Sequence, residues 1–526
     1  MNKLNLLTTT LLCTSVAMAV EAKESQPNVI FIMVDDLGFG DLSCYGSELI
    51  STPNIDKLAK EGRQFIDAHS ASSVSTASRY SMITGQYAFR GSDKPEDPTA
   101  GIWGPLRMNS PLIVERDLLT VGKVMQSQGY KTACVGKWHL GWGESYPTMW
   151  NDSSDLSVGP NAVGFDYYYG LPHVSSSAPY VYICNNEIVG GDANDPLLLK
   201  DKNNPAPISE TQIYPNKSEN KFTGATAAHA LYKDDEAGIK MAEESVNFIK
   251  ENKKNPFFLY LATPHIHHPF TPNEKFQGSS KCGVYGDFIQ ELDWIFGEVM
   301  NCLKEEKLDK NTLVIFTSDN GGMLNEAARE AREVGHNQNG DLLGFKFGIW
   351  EGGHRVPYIV RWPKKIKAGS ISEQVISNVD LLATLAALTG YELQDGDGVD
   401  SYNMLEAYIG NPKELIREEM VLTSRFKTHQ SLRSGDWVYI PTQGGGGWNN
   451  IKPTMNAWGG VQAVSYYGQE NSDIEDGKVK KDAPKAQLYN LAEDRSQTTN
   501  VIKDYPEIAE IMKSRLREML QSKTTR

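Results

Sequence analysis

The chain has no long run of like charge and no internal repeat. Beyond its first residues, no apolar stretch approaches the ~20 residues that a membrane-crossing helix needs. Cysteine is scarce, with 6 in 526 residues, and no Cys-x-x-Cys pair offers the thiol spacing of a structural zinc site. Cys44, Cys134, Cys184, Cys282 and Cys302 form an odd, scattered set beyond the N-terminal segment. Such a set is not a disulfide framework; these thiols read as small buried hydrophobes or occasional pair members. Basic residues are in deficit: 52 Lys and Arg against 66 Asp and Glu give a net charge of -14. That balance argues against a nucleic-acid or anionic-membrane partner, while leaving room for a small anion in a local basic pocket.

Hydrophobic residues at 40% and charged residues at 22% are ordinary for a soluble globular protein. At 526 residues the chain exceeds what one core organises, so two domains, or one large domain with a lobe, are expected. Residues 1–19 read as an export signal. Lys3 supplies the positive start, Leu6 to Val16 a short, mainly apolar core, and Ala17-Met18-Ala19 a small-x-small cleavage site. The expected location is therefore periplasmic or secreted; the ordinary alternative is a buried N-terminal helix. Cys13 follows Leu12 rather than a small residue, which disfavours lipoprotein processing.

From Pro27 onward, apolar runs alternate with amphipathic segments. Val29 to Val34, Thr132 to Val135, Phe257 to Ala262, Leu313 to Thr317 and Tyr358 to Arg361 read as buried strands. Helical spacing covers Leu118 to Gln128, Ala237 to Lys250, Asp287 to Leu303 and Asp380 to Leu388, the last ended by Gly390. The pattern predicts an α/β fold with a large, mainly parallel sheet between layers of helices, spanning residues 26–410. Residues 411–526 read as a smaller antiparallel lobe. Its strands are Met420 to Thr423, Trp437 to Ile440 and Gln487 to Leu491, with a closing helix from Pro506 to Leu520 and long loops over 441–486.

Chemistry is signalled where strands end, because open parallel sheets gather functional groups at their carboxyl edge. One strand ends in Asp35-Asp36 and another in Asp319-Asn320-Gly321-Gly322. Three carboxylates and an amide, with no sulfur or imidazole beside them, suit calcium or magnesium rather than zinc. The ordinary reading of each alone is a strand-end turn or helix cap. Next comes Ser70-Ala71-Ser72-Ser73-Val74-Ser75-Thr76-Ala77-Ser78-Arg79, small hydroxyl residues ahead of a helix, where free amides favour an anion. With Ser75 at the helix start, Arg79 lies one turn along the same face. No adjacent histidine activates Ser75, so a Ser-His-Asp hydrolase fits poorly, and spacing alone favours capping.

Three basic clusters remain. Extended backbone in Val135-Gly136-Lys137-Trp138-His139 puts Lys137 and His139 on one side. Thr263-Pro264-His265-Ile266-His267-His268-Pro269 gathers three imidazoles after a strand, and Lys346 precedes Glu351-Gly352-Gly353. Each has a bland reading: surface lysine, capping histidine, loop glycine. The His cluster also suggests zinc, but its proline neighbours disfavour a helical metal site.

Taken together these residues resemble a formylglycine-dependent sulfatase of the alkaline phosphatase superfamily. That family's signature is Cys or Ser, any residue, Pro or Ala, any residue, Arg, then a helix ending in Thr-Gly. Here it stands as Ser75-Thr76-Ala77-Ser78-Arg79 with Thr84-Gly85. The companions follow in order: Asp35-Asp36, Gly136-Lys137-Trp138-His139, His267-His268-Pro269, Asp319-Asn320-Gly321-Gly322, and Lys346 before Glu351. Leu488-Tyr489-Asn490-Leu491 resembles the strand opening the family's closing segment, so the likeness covers nearly the whole mature chain. Ala77 stands where Pro is commoner, and Ser75 where many members have Cys. The resemblance implies a serine-type member matured by an anaerobic radical enzyme; the alternative is a serine that replaces cysteine to trap substrate.

The resemblance further implies that Ser75 is oxidised to formylglycine and that Asp35, Asp36, Asp319 and Asn320 hold calcium. Arg79 and Lys137 hold sulfate oxygens, His267 with Lys346 protonates the departing alcohol, and His139 assists sulfate release. His267 is preferred to His265 because the family's histidine lies two residues before a proline. Two other readings stay open: phosphate or phosphonate ester hydrolysis, and an inactive glycan-binding homologue with Ser75 unmodified. The Phe257 to Leu303 region, with Gly283-Val284-Tyr285-Gly286-Asp287, resembles members acting on galactose or N-acetylgalactosamine 6-sulfate. The implied substrate is 6-O-sulfate at chain ends of host mucin or glycosaminoglycan. His173, Trp448 and Trp458 are candidate sugar contacts, with ordinary packing as the alternative.

Overall fold

Consecutive apolar residues make strands that can be buried on both faces, and the chain uses them to build one large sheet. The computed structural model describes residues 26–91, 102–107, 109–150, 153–177, 179–192, 194, 232–447 and 459–526. The export signal, Trp448 and Trp458 lie outside the described residues. In chain order the first strands are Asn28–Val34 (β1), Arg63–Phe65 (β2), Ala68–His69 (β3), Lys131–Gly136 (β4), Tyr167–Gly170 (β5) and Ile183–Cys184 (β6). Glu187–Ile188 (β7), Phe257–Ala262 (β8), Thr312–Ser318 (β9), Tyr358–Arg361 (β10), Ser370–Ser372 (β11) and Ile376–Ser377 (β12) follow.

A 10-stranded sheet forms in the order β11-β2-β10-β9-β1-β8-β4-β5-β6-β7. Strands β9, β1, β8, β4 and β5 are mutually parallel, while β10 and β6 pair antiparallel at either side of them. Side chains alternate between the faces. Val29, Phe31 and Met33 join the core beneath the Ser75–Thr84, Val121–Ser127 and Leu381–Thr389 helices. Ile30, Ile32 and Val34 join the opposite core, under the Pro53–Glu61, Ala237–Asn252 and Gly283–Glu305 helices. Both faces are covered, which is why these strands read as unbroken apolar runs. The helix expected from Leu118 starts at Val121, because the Thr120 side chain accepts a hydrogen bond from Lys123 N and caps it there.

Glu419–Thr423 (β13), Gln430–Ser434 (β14), Trp437–Ile440 (β15), the short hairpin Ile474–Glu475 (β16) and Lys478–Val479 (β17), and Gln487–Asn490 (β18) complete the strands. A second, antiparallel sheet runs β13-β14-β15-β18, with the Pro506–Gln521 helix on one face. Its other face packs Met420, Leu422, Val438 and Ile440 against Ile349 and Trp350. The expectation of long loops over 441–486 is corrected among the described residues. Gly460–Tyr466 is a helix and β16–β17 a hairpin. Val461 and Val464 pack with Ile474, and Ala463 with Phe345, so a short apolar stripe orders a glycine-rich stretch. All five cysteines of the described chain are free, and no described helix is long and apolar enough to cross a membrane.

Gly136 closes β4 with φ of 113°, and a Cβ there would sit 2.0 Å from the Ala262 carbonyl oxygen of β8. Gly136→Ala therefore combines a disfavoured backbone region with a backbone clash. It is expected to cost on the order of 3 kcal/mol in a denaturant titration, with the loss of activity concentrated in the adjoining Lys137.

Candidate active site

Parallel pairing decides where the polar strand ends go. Val34 of β1 stands beside Ser318 of β9, Met33 beside Ala262 of β8, and Gly136 of β4 beside the same Ala262. The residues that follow all emerge at one edge, so Asp35-Asp36, Asp319-Asn320, Lys137 and the His267 turn share a pocket. Oxygens of Asp35, Asp36 and Asp319 lie within 4.8 Å of one another, fully buried. Asp36 takes φ of 64°, and its N–H donates to Asp319 Oδ1 at 3.2 Å. Asn320 Nδ2 donates to Asp36 Oδ1 at 2.9 Å, which turns the amide oxygen toward Ser75.

Three buried cations face the three carboxylates. Lys137 Nζ lies 2.6 Å from Asp35 Oδ2, and Arg79 Nη2 lies 2.8 Å from Asp319 Oδ2. Lys346 Nζ pairs closely with Asp36 Oδ1. Burial disfavours the charge on Arg79, but Tyr260, Asp319 and Asp35 outweigh it and push the guanidinium above its ordinary range. Burial brings Lys137 down to about 8 despite Asp35. Lys346 is raised, because the carboxylates of Asp36, Asp35 and Asp319 overcome its burial.

Ser75 is the first residue of its helix, as expected, but it does not cap it. The N-cap is Val74, which makes no side-chain cap bond. Ser75 Oγ instead faces two acceptors, Asn320 Oδ1 at 3.0 Å and Asp35 Oδ1 at 3.3 Å. Arg79, one turn on, reaches the same cluster from below.

The histidines form a partial ring. His267 Nδ1 donates to the His268 carbonyl at 2.6 Å, which leaves Nε2 as a lone pair 4.0 Å from Asp36 Oδ2. Burial, with Lys346 and Lys137 nearby, holds His267 well below the usual imidazole range. His265 is not in this ring: it is fully buried against Phe288, 3.7 Å from Glu291. His139 reaches the site through Thr76 Oγ1 at 3.3 Å, and burial and Lys137 hold it low as well. His173 stands edge-on to His139, ring centres 4.5 Å apart. It donates from Nε2 to the Leu106 carbonyl at 3.0 Å, and its buried Nδ1 has no hydrogen-bond partner. Burial brings it down to about 4.

Two site residues escape the sequence reading. Tyr260 looks like any strand aromatic, yet its hydroxyl accepts from Arg79 Nη1 at 3.0 Å. Thr76 is the unspecified second position of the Ser75–Arg79 motif, yet it links His139 to the Leu106 amide. Only the fold carries either signal.

The donor set fits a hard divalent cation. It consists of buried oxygens alone, and Asp36 Oδ2, buried among them, has no hydrogen-bond partner. The carboxylates are formally balanced by Arg79, Lys137 and Lys346. A divalent cation held there would make the pocket net positive, which favours an anion.

Comparison with known proteins gives the family. The sulfatase family model matches residues 27–391. An N-acetylgalactosamine-6-O-sulfatase of Bacteroides thetaiotaomicron is 33% identical over 95% of this chain and 94% of its own length. Arylsulfatase H of Canis lupus familiaris is 31% identical over 73% of this chain and 72% of its own. A sulfatase structure from work on glycosaminoglycan metabolism by Bacteroides thetaiotaomicron superposes with a TM-score of 0.80 at 31% identity, covering 94% of this chain and 100% of that one. Family model, relatives and fold agree: this chain belongs to the sulfatase family and is a sulfuric ester hydrolase.

Proposed function

We propose that this protein is an exported enzyme that removes 6-O-sulfate from galactose or N-acetylgalactosamine in mucin or glycosaminoglycan chains. Its site is read as needing calcium and formylglycine made from Ser75 by a sulfatase-maturating enzyme. The observation that carries the reading is the setting of Ser75. Its hydroxyl faces Asp35 and Asn320, both acceptors, and among the described residues no imidazole hydrogen-bonds to it to act as a base. An unmodified serine so placed is a weak nucleophile, whereas the aldehyde hydrate supplies a hydroxyl that needs less activation. The name of the Bacteroides relative, an N-acetylgalactosamine-6-O-sulfatase, supports the sugar and the position.

Asp35, Asp36, Asp319 and Asn320 would hold calcium, which supplies charge neutralisation for a sulfate group. Arg79 and Lys137, both fully buried and ion-paired, are fixed in orientation and bind sulfate oxygens without reorganising. His267 carries its proton on Nδ1, so Nε2 is free to take one and pass it to the departing sugar oxygen. A bound sulfate supplies the negative charge that favours this protonation, against the nearby lysines. Lys346, charged and adjacent, supports the same oxygen. His139, held neutral by burial and Lys137, is a proton acceptor on the Ser75 side. His173 Nδ1 is an unused acceptor suited to a sugar hydroxyl.

His267→Gln tests the acid role. Turnover of a sugar sulfate should fall by about 10²–10⁴-fold, while an aryl sulfate with an acidic phenol loses far less, since its leaving group needs no proton. Equal losses on both would remove His267 from that role. The chemistry itself is tested by intact mass of protein from its native host, where a loss of two hydrogens at Ser75 is expected, and export by an N-terminus at Val20. A panel of defined sulfated saccharides, with an aryl phosphate as competitor, tests the substrate. Faster phosphate cleavage would sink the sulfatase reading.

A further inference from the structure

Away from the carboxylate cluster, two fully buried histidines meet nitrogen to nitrogen. His69 Nδ1 and His354 Nδ1 lie 3.0 Å apart, and both rings are completely buried. Each outer nitrogen has its own partner. His354 Nε2 lies 3.1 Å from the Ile349 carbonyl oxygen, which only accepts, so this nitrogen carries hydrogen. His69 Nε2 lies 2.7 Å from Asp67 Oδ1. Burial opposes ionisation of Asp67, but Arg355 and Arg433 outweigh it and hold the carboxyl well below its usual range, so His69 Nε2 also carries hydrogen. Two bare lone pairs would repel at the inner contact. A proton must lie between the rings, and two imidazoles then hold three N–H protons.

We infer that His69 and His354 form a buried imidazole–imidazolium pair, and that this cation fastens the segment delivering Ser75 to the segment delivering Lys346. The charge has a counter-ion: Glu351 Oε1 is buried beside the rings without a hydrogen-bond partner, while Oε2 accepts from Arg355 Nη1 at 3.0 Å. Burial would raise Glu351, but His69, His354, Arg355 and Arg433 hold it at about 2. Burial brings His354 down to about 4, which makes its Nδ1 the acceptor at the inner contact.

The pair lies where the two segments cross. Ser70 N donates to the His354 carbonyl at 2.8 Å, Val356 N to the Ala68 carbonyl at 2.9 Å, and Phe347 N to the Ser73 carbonyl at 2.9 Å. From His69 the chain runs directly to Ser75, and the chain enters His354 from Lys346. His69 and His354 are thus positioning residues. They act through the backbone and touch none of the reacting groups.

The first test uses the matured, calcium-loaded enzyme labelled with ¹⁵N-histidine at neutral pH. One imidazole should show both nitrogens protonated, and that signal should vanish in His354→Leu. Only singly protonated rings, or a stoichiometric transition metal removed by a chelator, would overturn the shared proton. The second test is kinetic and rests on the roles proposed above for Ser75 and Lys346; the labelling experiment does not, so the two failures are distinguishable. His354→Leu should lower kcat at least about tenfold with KM nearly unchanged. His354→Asn, whose Oδ1 offers an acceptor where Nδ1 stood, should recover most of it. Leu516→Ala, in the distant Pro506–Gln521 helix, serves as a destabilised control that keeps its kcat. A kcat loss no greater in His354→Leu than in Leu516→Ala would overturn the fastening role.

Discussion

Ser75→Ala is expected to lower turnover of every sulfate ester by on the order of 10⁴-fold or more. The substitution removes the proposed precursor of the nucleophile, and among the described residues no neighbouring group is placed to replace it. His139 touches Thr76, His267 faces Asp36, and the lysines are bound to carboxylates. Stability should change by no more than about 1 kcal/mol, since only one hydroxyl bond to Asn320 or Asp35 is lost. Sulfated sugar should still bind, because Arg79 and Lys137 keep their partners. Single-turnover assays paired with calorimetry of binding check both halves. Residual turnover within tenfold of the parent would show that Ser75 is not the reacting residue.

Asp319→Ala should be the most destabilising change in the site. Asp319 accepts from Arg79 Nε at 3.0 Å and from the Asp36 amide at 3.2 Å, and it lies 2.8 Å from Arg79 Nη2. Its removal leaves a fully buried guanidinium without its main counter-ion, which costs about 3–5 kcal/mol. A second effect is separable. Calcium at about 100 times its dissociation constant should stabilise the parent by about 2.7 kcal/mol, and the variant by almost nothing. Denaturant titrations with calcium and with a chelator measure both terms. The chelated parent should stay folded, because Arg79, Lys137 and Lys346 already balance the three carboxylates. A midpoint and an activity both indifferent to the chelator would remove the metal from this site.

Local sequence accounts for much of this architecture. β1, β8 and β9 are legible because burial on both faces demands unbroken apolar runs, and helices of apolar period must cover them. β14 is not legible: Gln-Ser-Leu-Arg-Ser shows one apolar residue, and it is a strand because β13 and β15 pair with it on both sides. The Gly460–Tyr466 helix is hidden for a related reason, since Phe345, which packs against its Ala463, is remote in the chain.

The active-site inventory was likewise present in one dimension: hard oxygen donors after two strands, and Lys and His after others. Strand ends carry such residues because a parallel sheet exposes them at one edge, so their identity reads directly from the chain. What a hydroxyl does there does not. Ser75 ahead of a helix has the same local signature whether it caps the amides or faces a metal site, because both need a small hydroxyl at a helix start. Only the register of β1 against β9, which brings Asp35 and Asn320 beneath that helix, decides between them. The same holds for Thr76, Tyr260 and the His69–His354 contact, whose partners lie tens to hundreds of residues away. The chain by itself determined the donors, the cations and the family they belong to; the fold decided which of them meet, because contact across a sheet is set by pairing register rather than by distance along the chain.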